Sequence, residues 1–112
     1  MDRSQIKRDY KQTLTPMGVF RIRNLVNGKV FIGSGKNLPG KINSHRFQLE
    51  AGSHMNKELQ GDFGRYGKEA FAFEALDLLE PGKEPSYDYT DDLEALENLW
   101  REKLMQSGGV MY

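Results

Sequence analysis

The chain has no cysteine. Disulfides, cysteine nucleophiles and cysteine-bound zinc are therefore excluded, which fits a cytoplasmic protein. No apolar run approaches the roughly 18 residues that a membrane span needs, and the polar, charged start of the chain predicts no secretory signal. An excess of either charge is also missing. The chain has 16 Lys and Arg against 16 Asp and Glu, whereas a strong non-specific nucleic-acid binder is more often basic overall. Apolar residues make up 38% and charged residues 29%, low for a globular domain but too apolar for disorder. At 112 residues, one domain with a modest core is expected.

The balance of charge hides a polarity. Residues 1–73 carry 13 Lys/Arg and 6 Asp/Glu, and residues 74–112 carry 3 and 10, so the two parts are +7 and −7. A basic front packed on an acidic tail explains this as well as a basic face for phosphates does. Residues 1–16 read as a basic, polar leader with Arg3, Lys7, Arg8 and Lys11, and residues 17–112 as the domain.

The strongest local signal is a hairpin. Gly18-Val19-Phe20 and Phe31-Ile32-Gly33 flank Val26-Asn27-Gly28-Lys29, and Asn-Gly predicts a tight turn with positive φ at its central residues. Alternation places Phe20 and Ile22 on one face with Val19, Arg21 and Arg23 on the other, and sets Val30 and Ile32 against Phe31. A helix follows, capped by Asn37, with Pro39 in its first turn and Gly52 after its end. Its stripe is Leu38, Ile42, His45 and Leu49, and Lys41 lies one turn before His45. Taken alone, a histidine on such a stripe is a hydrogen-bonded packing residue. A second helix runs from Asn56 to Gly67 through Leu59, Phe63 and Tyr66. A third strand follows at Phe71–Leu78, with Phe71 and Phe73 on one face and Ala72, Leu76 and Leu78 on the other. The last helix spans about Asp91 to Leu104, with Asp91 and Glu94 spaced for a capping box. Its stripe is Leu93, Leu96, Trp100 and Leu104, with Leu99 beside it. Glu97 falls at the border of that stripe, where a carboxylate needs a partner or a cation. Helix geometry alone gives it Arg101.

These pieces, in this order and spacing, resemble the GIY-YIG nuclease domain. Gly18-Val19-Phe20 and Phe31-Ile32-Gly33 stand for the two half-motifs, and Glu97 stands three residues before Trp100. The resemblance covers roughly residues 17–112. It implies an α/β domain of the α+β sandwich kind, a small central three-stranded antiparallel sheet flanked by helices. The implied chemistry is phosphodiester hydrolysis on DNA assisted by Mg2+ or Mn2+. The implied site comprises positions 20, 31, 41 and 45, with Glu97 holding the metal. Gly33 and Ser34, where backbone can approach a ligand, and the cationic Arg21, Arg23 and Arg46 are the binding candidates.

Three site positions depart from the pattern, because Phe20 and Phe31 replace the signature tyrosines and Lys41 replaces the arginine. Phenylalanine keeps the ring but cannot accept a proton or position a water. Lysine keeps the charge without the bidentate fork. An impaired nuclease is the expectation. A functioning endonuclease with a modified site, using His45 as base beside a metal-bound hydroxide, is the alternative, and a protein-interaction domain with a protein partner is the second. No membrane partner is expected.

Overall fold

The computed structural model describes residues 16–82 and 86–112, so the leader expected at 1–16 lies almost entirely outside the described residues. Three strands, β1 (Met17–Asn24), β2 (Val30–Gly35) and β3 (Phe71–Leu79), form one antiparallel sheet in the order β2-β1-β3. Helices α1 (Leu38–Ala51) and α2 (Lys57–Tyr66) cover one face, and α3 (Thr90–Gln106) covers the other. The expected sandwich around a small antiparallel sheet is thus the observed one. None of the described helices is long and apolar enough to cross a membrane.

Strand alternation sorts the core into two clusters, as a half-buried sheet between helices requires. Phe20, Ile22 and Phe71 pack with Leu38, Leu49, Leu59 and Phe63 under α1 and α2. Val19, Val30 and Ile32 pack with Leu96, Trp100 and Leu104 under α3. The expected stripes face inward, but Leu99 is exposed. Asn37 caps α1 by accepting from Gly40 N–H at 3.1 Å, and Asn56 caps α2 by accepting from Leu59 N–H at 3.0 Å. Gly52 and Gly67 follow the two helices as expected.

Three expectations need correction. The hairpin turn is not a two-residue primed turn. Only Gly28 has positive φ there, and Asn27 does not. Residues 25–29 connect the strands, and Asn24 Oδ1 accepts from Val26 N–H at 2.9 Å while Asn24 C=O accepts from Gly28 N–H at 2.8 Å. The Asn24 side chain thus does the work that a left-handed Asn27 would have done. Secondly, a bulge between Val19 and Phe20 shifts the register with β3. Leu78 then pairs with Gly18 and lines a groove with Leu38 and Ile42, away from Leu76. An extra residue in one strand reverses the faces beyond it. Thirdly, α3 begins at Thr90 and has no capping box. Asp88 accepts from Thr90 N–H at 3.0 Å instead.

Gly33 is required by close approach. A Cβ built there would lie 2.6 Å from Phe20 Cζ. Gly33→Ala is therefore expected to destabilise the fold by about 1–3 kcal/mol, as overpacking does. Urea unfolding measures this, and pairing the change with Phe20→Leu should recover part of the loss.

Candidate functional site

Strand β2 positions the site because its alternate residues serve two layers. Phe31, Gly33 and Gly35 face α1, while Ile32 and Ser34 face α3. Positions 20 and 31 are diagonal neighbours across the hairpin, since Phe20 pairs with Gly33 and Ile22 with Phe31. Their ring centroids lie 6.4 Å apart, and His45 sits 5.1 Å from one and 5.3 Å from the other. Phe20 is fully buried and His45 is 4% exposed. The structure therefore brings three of the four expected site positions into one aromatic box. The fourth, Lys41, is exposed on α1, with its stem beside Gly35.

The box contains a residue that sequence reasoning did not single out. His54, fully buried in the loop after α1, packs edge-on against Phe31 at 5.4 Å and reaches His45 at 2.7 Å, Nε2 to Nδ1. Its only advance signal was a second histidine just after the Gly52 cap. The partners assign the tautomers. His54 Nδ1 accepts from Asn56 N–H at 3.1 Å, so the His54 proton is on Nε2 and is donated to His45 Nδ1. His45 is consequently protonated on Nε2 when neutral. Gln60 fixes the loop, accepting from His54 N–H at 2.9 Å and donating to Leu49 C=O at 3.0 Å.

Charging this pair is unfavourable. Burial first, then the neighbouring His54 and Lys41, lowers His45 to about 4, and burial lowers His54 as well. At neutral pH, His45 can donate a hydrogen bond from Nε2 but has no free basic nitrogen. The expected role of His45 as a base does not fit this arrangement.

Glu97 stands on the other face of the sheet. Its Oε1 accepts from Ser34 Oγ at 2.8 Å, and its Oε2 lies 2.6 Å from Arg101 Nη2. The side chain is 17% exposed. Arg101 also donates to Ile32 C=O at 3.2 Å. The partner that helix geometry gave Glu97 is thus present. A cleft of about 290 Å³ opens beside Glu97, lined also by Ser34, Gly35, Lys36 and Glu94. Among the described residues, no group of three His, Cys, Asp or Glu could hold a metal by itself. A hard divalent cation such as Mg2+ needs only one or two carboxylates and keeps its waters. Glu97, with Glu94 on the same cleft, fits such an ion once Arg101 yields one oxygen.

The basic candidates behave differently from one another. Arg21 and Arg23 both pair with Glu74, at 3.0 and 3.2 Å, and Lys36 pairs with Asp88 at 3.0 Å. Part of the charge polarity is therefore neutralised within the molecule. Arg46 remains exposed, over the Phe73 ring at 4.7 Å.

No family model matches the chain. Over 50 residues, 45% of this chain, it is 36% identical to intron-associated endonuclease 1 of Enterobacteria phage T4, and the match spans 20% of that relative's length. Two solved structures of the catalytic domain of intron endonuclease I-TevI are similar over most of the chain. One is 28% identical with TM-score 0.67, covering 84% of this chain and 94% of that domain. The other, a glutamate-to-alanine mutant, is 26% identical with TM-score 0.66, covering 85% and 90%. The resemblance read from the sequence therefore holds in three dimensions: the chain has the GIY-YIG nuclease-domain fold, with phenylalanine at both signature tyrosine positions.

Proposed function

We propose that the chain is a DNA-directed nuclease domain whose cleavage is impaired. Similarity to an endonuclease catalytic domain supports DNA as the substrate and phosphodiester hydrolysis as the family reaction. One observation carries the impairment. Phe20, Phe31 and a His45 whose Nδ1 is already taken leave the aromatic box without a hydroxyl or a free base. Loss of one positioned acid–base group costs on the order of 10²–10⁴ in rate.

The remaining residues divide the work. Lys41 neutralises a phosphate charge without clamping it. Ser34 holds Glu97 Oε1, and the exposed Arg46 offers a second positive charge to the phosphate backbone. His45 Nε2–H offers a hydrogen bond to a phosphate oxygen. Glu97 holds Mg2+ or Mn2+, which when bound supplies Lewis-acid stabilisation of phosphate charge. The cytoplasm is the proposed compartment.

A nicking assay on supercoiled plasmid with Mg2+ or Mn2+ tests the reading. Slow nicking that Glu97→Ala abolishes is expected. Turnover at the 1–10³ s⁻¹ typical of enzymes in general would show that the site is not impaired. Cleavage surviving Glu97→Ala would remove Glu97 from it.

A further inference from the structure

We propose that Arg101 is an internal counter-ion that competes with a divalent cation for Glu97, so that binding a cation there and releasing Arg101 are one event. The proposal rests on the reading of Glu97 as the cation ligand. The two members of the pair are unequally held. Glu97 is 17% exposed, and Ser34 Oγ fixes its Oε1 at 2.8 Å. Arg101 is 42% exposed and reaches in from the surface, touching Glu97 Oε2 at 2.6 Å and Ile32 C=O at 3.2 Å. The guanidinium can therefore withdraw into water, whereas the carboxylate stays.

The cleft beside Glu97 gives a hydrated ion about 290 Å³. Of the cations near it, Lys36 is tied to Asp88 at 3.0 Å, so Arg101 is the one that holds Glu97. A cation that takes Glu97 Oε2 meets the guanidinium charge already 2.6 Å from that oxygen, and the two like charges displace one another. The lost charge-assisted hydrogen bond weakens the ion's apparent affinity by about tenfold or more.

Calorimetric titration with Mn2+ alone tests this, with each variant checked for folding by circular dichroism. Arg101→Gln, which can still donate to Ile32 C=O, should bind Mn2+ about tenfold or more tighter than the unaltered chain. Arg101→Lys should stay close to the unaltered chain. Adding Glu97→Gln to Arg101→Gln should remove the gain. Equal or weaker binding by Arg101→Gln, or a gain that survives Glu97→Gln, would overturn the proposal. In the unaltered chain, Mg2+ should shift the Arg101 Nε–H resonance, and an Arg101 signal indifferent to saturating Mg2+ would also overturn it. Unchanged Mn2+ binding by Glu97→Gln alone would instead reject Glu97 as the ligand.

Discussion

Phe20→Tyr, Phe31→Tyr and Lys41→Arg together raise metal-dependent plasmid nicking by about 10²-fold or more over the unaltered chain. The scaffold for those groups is in place. The two rings lie 6.4 Å apart, tilted by 41°, and His45 completes a triangle with them at 5.1 and 5.3 Å. Tyrosine keeps each ring and adds the missing hydroxyl, and arginine restores bidentate contact with phosphate. The gain carries a structural cost at position 20, which is fully buried with its Cζ over Gly33. An unpartnered hydroxyl there costs about 1–3 kcal/mol, so nicking is to be read beside a urea melt. A folded triple variant that nicks no faster would show that missing hydroxyls are not what limits the chain.

The second large effect is acid lability. Above pH 6.5, the ordinary histidine value, His45 is neutral both folded and unfolded and contributes no pH dependence. As the pH falls below that value, the unfolded chain takes up a proton that the folded chain refuses until about pH 4. Stability therefore falls with falling pH through this window. By pH 5 the loss from His45 is roughly 2 kcal/mol, at about 1.4 kcal/mol per pH unit. His54, lowered by the same burial, acts in the same direction. Urea midpoints at pH 7.5, 6 and 5 measure the slope above the range where carboxylates titrate. His45→Phe, which suits the aromatic box, should flatten it. An equally steep slope in that variant would place the acid sensitivity elsewhere.

The sequence announced what depends on near neighbours. The faces of Phe20 and Phe31 followed from alternation, the caps Asn37 and Asn56 from short-range hydrogen bonding, and the Glu97–Arg101 pair from the i, i+4 spacing of a helix. What it did not announce depends on contacts across the chain. The bulge opposite Val19 and Phe20 arises where β1 meets β3, about 55 residues on, so the face of Leu78 could not be read from β3 alone. Asp88 displaced the expected Asp91 box because a turn upstream of the helix reached Thr90 first. Gly52-Ser53-His54 supported the resemblance, but His54 was given no site role because a histidine in a polar loop looks solvated until Gln60 and Asn56 turn it inward. The proposed cation site shows the same limit. Glu97 was marked by its border position, but Ser34 as its hydrogen-bond partner required the fold.

One consequence of β2 concerns how the molecule behaves in company. It is an edge strand, and an unpaired edge is a template for joining another chain. Here the edge is closed in two steps. Val30 exchanges backbone hydrogen bonds with the C-terminal segment, Val30 N–H to Val110 C=O at 3.0 Å and Tyr112 N–H to Val30 C=O at 2.9 Å. Two residues on, the Ile32 carbonyl is covered by Arg101. The side chain that engages Glu97 is thus also a guard on the sheet, and trimming it to alanine would be paid for in self-association as well as in ion pairing.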